Sequence, residues 1–129
     1  MAIDDVEDDF EMILKWAVEF KRLWKEGDDV AVNFMPLDTL AVGSIYEKPS
    51  TRTRVSFEVG INRLGGYPLT LLKNDIQLGK SETVGDTSQV LSRFLGAMTY
   101  RCFSHDDVTE LAKYADCLLY TSPSPRDDR

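Results

Sequence analysis

Metal and disulfide chemistry have little to work with in this chain, which holds two cysteines, Cys102 and Cys117, and one histidine, His105, in 129 residues. Two cysteines make neither a disulfide framework nor a metal-ligand spacing, and a reducing, cytoplasmic setting is the default that follows. Basic residues are also scarce. Fifteen Lys and Arg against 22 Asp and Glu leave a net charge of −7. Without a basic footprint, neither nucleic acid nor an anionic membrane is an expected partner. No apolar run approaches the roughly 18 residues that a bilayer span needs. The N-terminus carries acids where a signal or transit peptide needs Lys or Arg. No internal repeat appears.

What is present suits one globular domain: 43% apolar, 10% aromatic and 29% charged residues. The acidity is local. Residues 1–11 hold six acids and no base, so the other 118 residues carry 15 bases against 16 acids. Those acids precede a helical pattern in which Phe10, Ile13, Leu14, Ala17, Lys21 and Trp24 share one stripe. Asp8 or Asp9 can cap that helix, Gly27 can stop it, and acids suit the positive end of its dipole. Residues 27–38 read as a connector ending in a turn at Pro36.

Beyond the connector, apolar runs and helical patterns alternate. Thr39–Tyr46, Tyr67–Leu72 and Ala97–Phe103 read as strands. Helices are expected from Thr51 to Leu64, from Thr83 to Leu95 with Val84, Thr87, Val90, Leu91 and Phe94 buried, and after a Ser104 cap through Val108, Leu111, Ala112 and Ala115. Strand–helix alternation predicts an α/β fold: a three-layer domain with a parallel sheet of three to four strands flanked by helices.

The chemistry concentrates at Pro49-Ser50-Thr51-Arg52-Thr53-Arg54, where the first strand turns into the second helix. Ligands in parallel sheets bind at this edge, and Ser50 or Thr51 can cap the helix so that its first N–H groups face the strand ends. Two arginines in a first turn oppose the helix dipole. A multiply charged anion, held by the N–H groups, hydroxyls and guanidinium forks, offsets that cost. The plain alternative is an ordinary cap whose arginines pair with Glu47, Glu58 or Glu82. Arg101, near the end of the third strand, can reach the same edge or pair with Asp106 or Asp107. His105 reads as a surface or capping residue, and Cys102 as core filler. The polar loop Asn74–Glu82, carrying Gln77 and Lys80, reads as a lid, an intersubunit arm or a solvated loop.

The segments IYEKPSTRTRVSFEVGINRLGG, NDIQLGKSETVGDTSQVLSR and YRCFSHDDVTELAKYA resemble the N-terminal half of the carbamoyltransferases, and within them the ornithine type, from about Asp8 to Ala115. The resemblance implies a carbamoyl phosphate-binding domain in which Ser50, Thr51, Arg52 and Thr53 hold the phosphate. Arg101 then contacts phosphate and carbamoyl oxygen, with Arg52 and Arg101 as the catalytic pair. Gln77 reaches in from the neighbouring subunit of a homotrimer, or of a multiple of trimers, and Arg54 is structural. The implied reaction carbamoylates the side-chain amine of ornithine to give citrulline and phosphate, without metal or organic cofactor. The Asp75–Gly79 lid and the Arg101-Cys102-Phe103-Ser104-His105 strand end favour the ornithine over the aspartate type. Thr51 argues against the putrescine and acetylornithine relatives. A carbamoyltransferase of the aspartate type and a non-catalytic anion-binding module are the competing readings.

The family pattern continues past Lys113-Tyr114-Ala115 into a fourth strand, a His-Pro-x-Gln segment and an amino-acid-binding domain. Here CLLYTSPSPRD follows, which resembles a translated sequencing adapter. Residues 1–116 are therefore expected to be an incomplete carbamoyl phosphate-binding domain without the family's second domain, itself inactive. Residues 117–129 are expected to be a non-native tail whose apolar start can occupy the fourth-strand position.

Overall fold

The computed structural model describes residues 8–72, 76, 83–102 and 105–121. Seventeen residues free of Gly and Pro form helix α1, Phe10–Glu26. Gly27 closes it in the left-handed region at φ 70°, where a Cβ is strained. The Gly27 N–H donates to the Trp24 carbonyl and the Asp28 N–H to the Leu23 carbonyl, a Schellman closure. Asp28 then caps a helix that the connector reading missed, α2 (Asp29–Val32), its carboxylate accepting from the Val30 and Ala31 N–H groups. The α1 stripe is not buried. Phe10 is 44% and Leu14 50% exposed, while Phe20 stacks on Phe34 at 4.9 Å and Arg63 lies 5.1 Å from the Trp24 ring centre.

Four strands follow: β1 (Ala41–Tyr46), β2 (Tyr67–Leu72), β3 (Ala97–Arg101) and β4 (Leu118–Thr121). Between them run helices α3 (Thr51–Arg63), α4 (Val84–Ser92) and α5 (His105–Tyr114). All strand pairs are parallel, in the order β2-β1-β3-β4. The apolar segment after Cys117 supplies the fourth strand. Right-handed crossovers send α3 to one face of the sheet and α4 and α5 to the other, because β2 and β3 lie on opposite sides of β1. Contacts agree: α3 packs on β2 and β1, and α4 packs on α5. The three-layer α/β arrangement is that expected from the alternation.

Pleating decides which residues face which layer. The registers place Ile45 beside Tyr100 and Met98 beside Leu119, and these side chains form the core with Leu95, Val108 and Leu111. The opposite parity puts Ser44, Tyr46, Thr99 and Arg101 on the α3 face, where Thr99 Oγ1 donates to Ser44 Oγ. The buried face of α4 overlaps the expected one only in part: Thr87 is buried, and Val84 and Leu91 pack against the core. Gly85, Thr87 and Ser88 are inside, while Val90 and Phe94 are 57% and 76% exposed. Small residues are selected because α5 lies close: a Cβ on Gly85 would stand 2.9 Å from the Tyr114 ring. The fully buried Ser88 hydroxyl donates to the Leu111 carbonyl at 2.8 Å.

Candidate anion-binding site

The strand order reverses direction between β1 and β3, the place where open parallel sheets leave a crevice at their carboxyl ends. Tyr46 and Arg101 are register partners there, and the Glu47 N–H donates to the Arg101 carbonyl at 3.0 Å. The chain leaves β1 through Glu47–Pro49 and enters α3 on the face to which Arg101 belongs. Arg101 Nη1 donates to Ser50 Oγ at 2.9 Å and to Thr53 Oγ1 at 3.2 Å. Residues 51 positions apart in the chain thus meet at one helix start.

Ser50 occupies the N-cap position with extended backbone, and its carbonyl accepts the first helical bond from the Arg54 N–H. Its hydroxyl does not cap the helix. That oxygen accepts from Arg101, so its own proton is directed elsewhere and can be donated to a ligand. The first-turn N–H groups consequently lack a side-chain acceptor, and no acid stands in that turn. Arg101 Nε is buried and has no hydrogen-bond partner among the described residues. A partly buried guanidinium and the two hydroxyls it bonds therefore stand together at an uncapped helix start. Such an arrangement accepts an oxyanion.

Not every expected residue joins this cluster. Thr51 is exposed and lines a pocket of about 540 Å³ together with Tyr46, Ser50, Arg54, Glu58 and Leu72. Arg52 is exposed in the first turn of α3, makes no ion pair among the described residues, and has no side-chain contact to the cluster among them. Arg54 takes the plain alternative and bonds Glu58 at 3.0 Å. Arg101 does not: among the described residues it pairs with no carboxylate, Asp106 and Asp107 included. Cys102 is half-buried against the core, and burial pushes its thiol up. Gln77, Lys80 and Ser104 lie outside the described residues.

Sequence reasoning missed Thr70. It faces Ser44 across the β1–β2 register and donates its hydroxyl to Glu58. That bond first, and the Arg54 guanidinium second, hold the Glu58 carboxyl below the usual glutamate range. Only the parallel register brings Thr70 to α3, and linear spacing carries no trace of it. Among the described residues, no group of three or more His, Cys, Asp and Glu could hold a metal ion. No described helix is long and apolar enough to cross a membrane.

Residues 1–123 match the family described as aspartate/ornithine carbamoyltransferase, carbamoyl-P binding domain. The chain is 43% identical over 115 residues to an ornithine carbamoyltransferase of Picrophilus torridus, covering 89% of this chain and 36% of that one. With its counterpart from Caldicellulosiruptor saccharolyticus it is 59% identical over 75 residues, 58% of this chain and 24% of the other. Among solved structures, the ornithine carbamoyltransferase from Pyrococcus furiosus superposes with a TM-score of 0.80 at 41% identity, over 88% of this chain and 35% of that one. The chain thus spans about a third or less of the length of these relatives.

Proposed function

Because the chain belongs to the aspartate/ornithine carbamoyltransferase family, matching its carbamoyl-P binding domain, we propose that the cluster at the start of α3 binds carbamoyl phosphate. The observation that carries this reading is Arg101 Nη1, bonded at once to Ser50 and Thr53 beside an uncapped helix start. In the proposed complex the phosphate sits on the first-turn N–H groups and the hydroxyls of Ser50, Thr51 and Thr53. Arg52 closes over it from the rim. Arg101 spans phosphate and carbamoyl oxygen, using the buried Nε that lacks a partner among the described residues. Gln77 of a neighbouring copy completes the pocket in a homotrimer or a multiple of trimers.

The reaction proposed for the whole enzyme is carbamoyl transfer to the side-chain amine of ornithine. An uncharged amine attacks the carbamoyl carbon, negative charge grows on the carbonyl oxygen, and the C–O bond to phosphate breaks. Arg101 and Arg52 stabilise the growing oxyanion and the departing phosphate as fixed cationic donors, a type of contact worth about 3–4 kcal/mol in comparable acyl transfers. Ornithine as the amine draws on the names of the related proteins and on the Asp75–Gly79 lid sequence. The proposal for residues 1–129 alone is weak phosphoanion binding without turnover.

Isothermal titration with carbamoyl phosphate tests the site. Arg52→Ala and Arg101→Ala should each weaken binding by about tenfold or more, the scale of one lost charge-assisted hydrogen bond. Equal heats and affinities in wild type and both variants overturn the assignment. The amine is tested in a family enzyme carrying this domain: citrulline should form from ornithine, and aspartate should not be carbamoylated.

A further inference from the structure

The proposed phosphate cradle uses Ser50, Thr51, Arg52, Thr53 and Arg101 and leaves the adjoining ion pair without a role. Ser50, Thr51, Arg54 and Glu58 recur along α3 at spacings of three and four, so they share one face. With Tyr46 and Leu72 they line the same open pocket. Arg54 therefore starts one turn from the cradle, its backbone N–H bonded to the Ser50 carbonyl. Its guanidinium nevertheless turns the other way, with Nε 3.0 Å from Glu58 Oε1. Glu58 is fixed from the sheet side as well, since Thr70 donates to that same oxygen.

As a contribution to stability, an exposed pair four residues apart counts for little. Its consequence is where a positive charge stands. Two bonds to one carboxylate oxygen hold it ionised and in place, and Arg54 follows it away from Ser50 and Thr51.

We propose that Glu58 is a positioning residue that holds Arg54 off the phosphate cradle and leaves anion docking to Arg52 and Arg101. The inference rests on the phosphoanion reading of the site. Released, the Arg54 fork shares a pocket with Ser50 and Thr51 and gains a charge-assisted bond to any phosphate there. That bond tightens substrate and released phosphate alike, and uniform tightening does not accelerate a chemical step. The clamp keeps phosphate affinity low enough for release.

The test is titration of the 129-residue chain with inorganic phosphate, with thermal unfolding recorded for each variant. Glu58→Gln preserves volume and an acceptor for Thr70 but removes the charge that holds Arg54. It should bind phosphate about tenfold more tightly than wild type, with a steeper dependence on salt. Glu58→Ala, which leaves Arg54 no acceptor at that position, should change affinity in the same direction. Arg54→Ala, alone or combined with Glu58→Gln, should stay at the wild-type affinity. A disturbed fold weakens binding, so tighter binding marks a released charge. Unchanged or weaker binding in both Glu58 variants overturns the clamp, as does tighter binding that survives in the double variant. Arg101→Ala separates the two readings. Should it bind phosphate as wild type does, the cradle assignment falls and the clamp with it; should it bind more weakly while the Glu58 variants do not tighten, the clamp alone falls.

Discussion

A guanidinium carries five N–H donors in a rigid fork, and Arg101 directs one nitrogen at two hydroxyls on another element. Each hydroxyl thereby fixes the arginine, and the arginine fixes the direction in which each hydroxyl can donate. Thr53→Val keeps the side-chain shape and removes one of these acceptors. Carbamoyl phosphate affinity, followed by titration, should fall about tenfold, because a donor to the phosphate and an anchor of Arg101 are lost together. The unfolding midpoint should hardly move. Wild-type affinity in Thr53→Val would detach the Arg101 contact from binding. The residue types of this cluster were legible in the sequence: Ser and Thr at a helix start with unexplained arginines, and a further arginine at a strand end. Their pairing was not. Whether Arg101 turns to Ser50 and Thr53 or to Asp106 and Asp107 depends on the parity of β3, and a shift of one residue would send it to the α4–α5 face. Arg54 shows the reverse case, since its spacing from Glu58 was visible and the structure takes that local option.

Helices read from apolar periodicity come out well where they end at a backbone signal and poorly where they pack tightly. Gly27 ends α1 and Thr83 caps α4, its hydroxyl accepting from the Asp86 N–H, both close to the expected positions. The α4 stripe came out right at Val84, Thr87 and Leu91 and wrong at Val90 and Phe94, because apolar size stood in for burial. A face pressed against another helix selects small residues, and Gly85, Thr87 and Ser88 leave no hydrophobic signature. Ser88→Ala follows from that packing. It removes one of two donors to the Leu111 carbonyl, the Ala115 N–H remaining, and should cost about 1 kcal/mol in denaturant unfolding. Gly85→Ala forces a Cβ to 2.9 Å from the Tyr114 ring, and should cost about 1–3 kcal/mol, as overpacking does elsewhere. No loss in either variant would mean that α4 and α5 are less closely fitted. For α1 the periodicity was correct but burial did not follow: α2, Phe34 and the Arg63 end of α3 meet it, and its stripe stays largely exposed.

At the scale of the whole molecule, the alternation of strands and helices announced a parallel sheet, but strand order is a property of long-range pairing that no local window contains. That order makes β1 central, and it encloses a tyrosine on each face: Tyr46 towards α3 and Tyr100 towards α5, 5% and 2% exposed. Burial raises both phenols above their ordinary value of 10.0, and the carboxylates of Glu47 and Asp107 raise Tyr100 further. The sign follows from linkage. Below pH 10 both phenols are protonated in the folded and the unfolded chain, and their contribution to stability is fully present. Above it the unfolded chain ionises while the folded one does not, so unfolding is favoured progressively until each folded pKa is passed. A phenol that stays protonated in the folded chain while the unfolded chain ionises removes up to about 1.4 kcal/mol of stability per pH unit. Denaturant midpoints measured from pH 8 to 11 should therefore fall most steeply past 10, and Tyr100→Phe should make that part of the fall shallower. A slope unchanged by Tyr100→Phe would place that phenol in water in the folded state, and the β3 register that buries it, and with it the placement of Arg101 on the α3 face, would have to be redrawn.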